Sequence, residues 1–102
     1  MSDEIILKVT SYNQEGDRDL DDAAAAKLES MVVGFRFKSI AVTSVSGDSE
    51  AYRFAVQIKN YLAGIGYKVS KINQAIYTTP PGGVVINLPG EDRVLNIVVG
   101  SK

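Results

Sequence analysis

The amino-acid sequence predicts a two-layer α+β domain in which two helices cover one face of a mixed five-stranded sheet. Residues 48–65 place apolar side chains at i, i+3, i+4 and i+7, which is typical of an amphipathic helix. A predicted strand precedes this helix and another follows it, and short connections join the last three predicted strands. The predicted order is β-α-β-α-β-β-β, and 102 residues fit a single domain with its own core.

The first half of the chain predicts a strand, a helix and a second extended segment. Residues 4–10 alternate between apolar and polar side chains, as a strand does. We expect the helix to begin after Asp19 as its N-cap and to stop at Gly34. Residues 35–45 are expected to be extended. A change of hydrophobic phase at residues 38–39 predicts a bulge or bend between two shorter strands.

The second half of the chain predicts the longer helix and three strands. Asp48 is the expected N-cap of this helix. The strands are expected at residues 67–77, 84–88 and 94–99, and their short connections predict an antiparallel meander. The last strand is apolar on both faces apart from Asn96, so we expect it inside the sheet and close to the first strand.

The composition excludes several kinds of chemistry. The chain has no Cys and no His, so it offers no disulfide, thiolate metal site, thiol nucleophile or imidazole base. The N-terminal sequence predicts no signal peptide, and no segment reaches the roughly 18 apolar residues that a spanning helix needs. We therefore expect a cytoplasmic protein that has no membrane partner.

The charges are nearly balanced overall but are unevenly distributed along the chain. The formal net charge is -1, eight of the 12 acids lie within residues 1–30, and eight of the 11 bases lie within residues 31–102. We expect the two parts to neutralise each other within one domain. The alternative is that the second part presents a basic surface to an acidic partner.

The acidic cluster before the first helix is a candidate metal site. Asp17, Asp19 and Asp21 have the spacing with which a calcium-binding loop begins. The match then fails, because Asp22 stands where that loop needs Gly and Leu28 stands where it needs Glu. Acids at the start of a helix explain the cluster without a metal, and we expect neither a metal nor another cofactor.

The turn before the longer helix is a candidate ligand site. Ser46, Gly47, Asp48 and Ser49 supply backbone amides and hydroxyls ahead of a helix N-terminus, where phosphate groups can bind. The segment is not a P-loop, and the negative charge of Asp48 and Glu50 repels an anion. Helix capping is the simpler interpretation. The alternative is a protein or enzyme that binds a nucleotide or another anion here.

Polar and basic side chains on the late strands are a third candidate site. Amides could bind a polar ligand or nucleic acid, and aromatic and basic residues follow nearby in the sequence. The amides are Asn73, Gln74, Asn87 and Asn96, and their neighbours are Tyr67, Lys68, Lys71 and Tyr77. Because the chain is almost neutral and has no RNA-binding signature, the sequence disfavours nucleic acid. A sheet surface that faces solvent or another subunit is the simpler interpretation.

The residues available for catalysis form no recognisable constellation. No Ser lies in a Gly-x-Ser-x-Gly turn, and the sequence contains no Ser-x-x-Lys motif. The paired carboxylates are expected to be exposed, and exposed carboxylates keep a low pKa that suits proton transfer poorly at neutral pH. The sequence therefore favours a non-catalytic protein and names no catalytic residue.

Four short segments resemble a small domain of uncharacterised bacterial proteins, where it often follows membrane or coiled segments. The segments are GDSEAYRFA at 47–55, GYKV at 66–69, NQAI at 73–76 and IVVG at 97–100. The resemblance covers about residues 40–100. It implies a bacterial or mobile-element origin, and it transfers no catalytic residue because no activity is assigned to that domain.

These observations together predict a binding or assembly module that forms a homo-oligomer, with a dimer as the first expectation. Two helices cover about one face of a five-stranded sheet, yet several strands are apolar on both faces. Surplus apolar surface on a small chain usually contacts another subunit. The expected contact residues are Tyr52, Val56, Tyr77, Val85 and Leu88. A small-molecule ligand at residues 46–49 remains the alternative.

Overall fold

The computed structural model describes residues 4–7, 9, 12–79 and 82–101. Within these residues the α+β class and the predicted order β-α-β-α-β-β-β are confirmed. The strands are β1 (Glu4–Leu7), β2 (Ser39–Val45), β3 (Asn73–Ala75), β4 (Val84–Asn87) and β5 (Val94–Val99), and the helices are α1 (Asp22–Val33) and α2 (Ser49–Gly64). The expected extensions of the first strand to residues 8 and 10 lie outside the described residues.

The five strands form one mixed sheet in the order β1-β4-β5-β2-β3. β2 is parallel to β3 and to β5, whereas β4 is antiparallel to β1 and to β5. The expected internal position of β5 is confirmed, but the three-strand meander is wrong because β3 lies beyond β2 at the opposite edge. The α2 crossover returns the chain parallel to β2 on that side. The first strand, which was expected to lie close to β5, pairs with β4 and is separated from β5 by that one strand.

Helix α2 follows the sequence pattern closely. The Asp48 side chain accepts a hydrogen bond from the Ala51 backbone N–H, which confirms the predicted N-cap. The predicted apolar stripe is buried at Ala51, Phe54, Ala55, Ile58 and Leu62. Ile65 is exposed instead, because the helix ends at Gly64 and the stripe does not continue past its last turn.

Helix α1 begins later than the sequence predicted. Asp21 is the N-cap and accepts a hydrogen bond from the Ala24 backbone N–H at 2.8 Å, so the assignment of this role to Asp19 is wrong. Only a carboxylate at the residue before the first helical turn reaches the N–H three residues further on. Gly34 ends the helix as predicted. Ala24, Leu28 and other residues of one face are buried.

The hydrophobic core lies between the two helices and one face of the sheet, here called the inner face. The strands contribute Leu7, Ile40, Val42, Val84, Ile86, Leu95, Ile97 and Val99, and the helices contribute Leu28, Val32, Ala51, Phe54, Ala55, Ile58 and Leu62. Because alternate residues of a strand point to opposite faces, the residues between these belong to the other face, here called the outer face. Neither helix contributes its buried side chains to the outer face.

Two segments expected to be extended strands are mostly connections. β2 begins at Ser39, so residues 35–38 form no separate strand and the predicted bulge is absent from this described segment. Residues 67–72 lie outside β3; Val69 forms an isolated β-bridge with Ile40, and Tyr67, Val69 and Ile72 pack against the core. None of the helices in the described part of the chain is long and apolar enough to cross a lipid bilayer.

Candidate functional site

The turn between β2 and α2 has the geometry of a helix cap. Gly47 has φ 87°, a left-handed conformation that favours glycine. Asp48 uses one carboxylate oxygen to accept from the Ala51 N–H at 3.0 Å and the other to accept from the Ser101 hydroxyl at 3.3 Å. The Ser46 N–H donates to the Ala75 carbonyl at 2.8 Å. The polar groups of this turn therefore hold α2 and β3 in place.

A shallow hollow of about 300 Å³ opens beside this turn. It is lined by Gly47, Asp48, Ser49, Tyr52 and Gln74, so three of the four residues predicted for a ligand site lie together. The structure adds Tyr52, which the sequence predicted as a contact residue, and Gln74 from β3. The hollow lies where the parallel strands end and a helix begins, which is a common place for ligands in α/β sheets.

The sequence did not reveal a buried ion pair close to this turn. Arg18 and Glu50 are 3% and 7% exposed, and their side chains meet at 2.7 Å between Arg18 Nη2 and Glu50 Oε1. The Arg18 backbone N–H and Nε also donate to Glu50 Oε2, and the guanidinium lies 5.0 Å from the centre of the Phe54 ring. The pair fastens the loop before α1 to the first turn of α2.

The ion pair determines the protonation of Glu50. Burial alone would raise the pKa of this carboxyl, but the hydrogen bonds and the positive charge of Arg18 outweigh burial and lower the pKa below its ordinary value of 4.5. Glu50 is therefore a carboxylate at neutral pH and has no proton to donate. Its contacts indicate a structural group and not a general acid.

Two buried polar atoms in the described part of the chain have no hydrogen-bond partner there. They are Arg18 Nη1 and Ser44 Oγ. Ser44 pairs in register with Val99, and Arg18 donates through Nη2 to the carbonyl of the next residue, Gly100. Each unpaired buried polar group costs about 1–3 kcal/mol. The hydrogen-bonding capacity around this ion pair is therefore only partly used in the described structure.

The predicted interface residues do not form one patch. Val85 lies on the outer face, Leu88 follows β4 and is exposed, and Tyr77 follows β3 and is half-buried. Tyr52 and Val56 lie instead on α2, the helix that covers the inner face. The predicted interface residues therefore lie on opposite sides of the sheet.

The outer face carries an apolar row across four strands. The register places Ile6, Val85 and Val98 side by side, followed by Thr43. Ile6 is 58% exposed and Val85 is 8% exposed. The next row runs from Glu4 of β1 through Asn87 and Asn96 to Ala41. The described side chains of this row, those of Asn87, Asn96 and Ala41, are uncharged.

The other two predicted sites are the acidic cluster before α1 and the amide, basic and aromatic residues of the late strands. Among the described residues, no group of three acidic side chains could hold a metal ion. Asp17 accepts from Arg53 at 2.8 Å, and Asp21 caps α1. Of the predicted basic and aromatic group, Tyr67 and Lys68 line a second cavity with Arg93, and none of the four predicted amides belongs to that lining.

No family model, curated protein or solved structure matches this chain. The resemblance to a small bacterial domain therefore stays a prediction.

The sequence does not reveal the ion pair because its members are 32 residues apart and the pattern around each has a local explanation. Arg18 lies in a polar loop, and Glu50 lies in the first turn of a helix, where an acid is favourable anyway. A single Arg within an otherwise acidic segment was the only signal. That signal does not identify which acid the arginine meets.

Proposed function

We propose that this protein is a non-catalytic assembly module that pairs with a second copy of itself through the outer face of its sheet. The observation that carries the proposal is the row of Ile6, Val85 and Val98 on the face that neither helix covers. Of these side chains, Ile6 is exposed and Val98 is half-buried, so their apolar surface loses contact with water when two copies meet.

The charge of the outer face supports a second copy as the occupant. Burying an unpaired charge is costly, and a face that meets its own image places like charges against each other. The described side chains of the two rows carry no charge, and Asn87 and Asn96 can donate to and accept from the same residues of a second copy. Among these described side chains, a second copy therefore brings no like charges together.

The size of the face predicts a weak dimer. Five strands about 4.8 Å apart and at most about 20 Å long offer roughly 500 Å². A stable interface buries about 800 Å² on each partner. We therefore expect a dimer that dissociates on dilution, with the monomer as the folded unit.

The test measures the sedimentation coefficient over about two decades of protein concentration. The unchanged protein should pass from monomer to dimer. Ile6→Lys places a charge on the most exposed apolar side chain of the row and should leave a monomer throughout. A monomer at every concentration for the unchanged protein would refute the proposal.

Ile76→Lys is a matched control for this experiment. Ile76 is 90% exposed and follows β3, outside the two rows of the outer face. It undergoes the same chemical change as Ile6 and should leave dimerisation intact. If Ile76→Lys abolishes the dimer and Ile6→Lys does not, the contact lies elsewhere and the outer face is excluded.

A small polar ligand in the hollow beside the β2–α2 turn is a second candidate function, supported by the position of Tyr52 and Gln74 over that turn. The Asp48 carboxylate favours a hydroxyl-rich or cationic ligand over an anion. A thermal-shift screen of polyols and amines tests this, because ligand at 100 times its dissociation constant adds about 2.7 kcal/mol. A shift that persists in Tyr52→Ala would place the ligand elsewhere.

A further inference from the structure

A cleft at the opposite end of the sheet from this turn collects four cationic side chains. Arg36, Lys38, Lys68 and Arg93 line a cavity of about 470 Å³, here called the basic cleft. No acidic side chain belongs to its lining. Its position near the amino ends of β2 and β5 separates it from the hollow, with which it shares no lining residue.

The backbone fixes this cluster from segments that are distant in the sequence. The Lys38 N–H donates to the Arg93 carbonyl at 2.8 Å, and the Ile40 N–H donates to the Lys68 carbonyl at 2.9 Å. Arg93 has φ 58°, which among the described residues other than glycine is the only positive φ. Side chains other than glycine, Asn and Asp seldom adopt this conformation, and such strain is often found at functional sites.

The cations of the basic cleft have no ionic partners in the described part of the chain. The two ion pairs found there, Arg18–Glu50 and Arg53–Asp17, lie elsewhere. The acids closest to Arg93 along the chain, Glu91 and Asp92, are exposed and are not part of the lining. Like charges gathered without counter-charges attract an anion.

The helix dipoles offset only part of this positive charge. Helix α1 ends at Val33, and the turn after α2 contains Gly66; both residues line the basic cleft. Each helix C-terminus contributes about half a negative charge. Two such ends balance roughly one of the four cations, so the cleft stays positive although the whole chain has net charge -1.

Three aromatic side chains complete the cleft. Phe35, Phe37 and Tyr67 are half-buried and line it, and the rings of Phe37 and Tyr67 lie 5.6 Å apart with a tilt of 37°. Each ring packs against the core on one side and contributes to the cleft on the other. A planar ligand ring can stack on such a surface.

We propose that the basic cleft binds a nucleotide, either free or as part of a single strand of nucleic acid. The cations hold the phosphate groups, and the aromatic rings hold the base. A phosphate ion alone would leave Phe37 and Tyr67 without a role, whereas an uncharged ring would leave four cations unpaired. The cavity volume of about 470 Å³ falls in the usual range of small-ligand sites.

The test compares three probes at low salt: adenosine diphosphate, pyrophosphate and a labelled single-stranded oligonucleotide of eight thymidines. Calorimetry measures the first two, and fluorescence anisotropy measures the third. We expect the diphosphate or the oligonucleotide to bind at least about tenfold more tightly than pyrophosphate, because only these add base stacking. The tighter of the two identifies the source of the nucleotide.

Matched variants locate the binding. Lys38→Gln/Lys68→Gln removes two cations from the basic cleft, and Lys27→Gln/Lys59→Gln removes two cations from the helices. The first pair should weaken binding by about tenfold or more, and the second by less than about twofold. For the oligonucleotide, the slope of log affinity against log salt should fall by about 1.4 in the first pair only.

Tyr67→Leu tests the aromatic part separately. It should weaken nucleotide binding and leave pyrophosphate binding unchanged, in protein whose thermal unfolding shows that it is folded. The proposal is overturned if neither nucleotide probe binds, if pyrophosphate binds as tightly as both, or if the two lysine pairs lose affinity equally. Tighter binding to phosphatidylserine vesicles than to either nucleotide probe would also overturn it.

Discussion

The two ends of strand β2 use their charges in opposite ways. At the carboxyl end, Asp48 caps α2 and Glu50 meets Arg18, so each charge contacts another group of the protein. At the amino end, Lys38 lies beside Arg93 and Lys68, and no acid of the described residues pairs with them. Charge at the first end stabilises the fold, whereas charge at the second end is available to bind a ligand.

The largest expected effect of a substitution is at the carboxyl end. Arg18→Met leaves the Glu50 carboxylate buried without its partner, and breaking a buried pair in this way costs about 3–5 kcal/mol. We expect the free energy of unfolding, measured with urea, to fall by this amount. A loss of less than about 1 kcal/mol, typical of an exposed pair, would show that solvent reaches the ion pair.

The double substitution Arg18→Met/Glu50→Leu is the control for charge. Replacing both members of a buried pair with apolar side chains is often neutral or stabilising. The double variant should therefore recover most of the stability that Arg18→Met loses. If both variants are equally unstable, packing of the arginine stem on Phe54 and its bond to Gly100 explain the loss and not the unpaired carboxylate.

The pH dependence of stability should show a smaller effect of the same pair. The pKa of Glu50 is lower in the folded protein than its ordinary value of 4.5, so folding favours the ionised carboxyl. The resulting stabilisation is fully present above pH 4.5 and is lost as the pH falls through the lowered pKa. Between about pH 6 and pH 3 the unchanged protein should lose more stability than Arg18→Met/Glu50→Leu. Parallel curves would contradict this.

Local sequence patterns predicted the helices well, for a physical reason. The cap of α2 is a contact between residues three positions apart, and its buried stripe repeats every turn. Both are visible within a short window of sequence. The same is true of β5, whose apolar residues predicted its bounds and its internal place in the sheet.

Contacts between distant segments could not be predicted in the same way. The position of β3 beside β2 depends on the crossover through α2, and the next strand, β4, lies on the other side of β5. Residues 35–38 alternate aromatic and basic side chains, which is compatible with a strand. Only the structure shows that they meet Lys68 and Arg93 and line a cleft. The sequence shows an excess of bases within residues 31–102, but it does not show which of them meet at one place.

The smallest expected effect is on stability at the amino end. Lys38→Gln/Lys68→Gln removes two exposed cations that have no acid partner in the described structure, so no favourable contact is lost. We expect the free energy of unfolding to change by no more than about 0.5 kcal/mol, with any gain largest at low salt because removing like charges relieves repulsion that salt otherwise screens. Urea unfolding at two salt concentrations measures this. A clear loss of stability at low salt would mean that these lysines stabilise the fold, as the charges at the other end of β2 do, and the contrast between the two ends would fail.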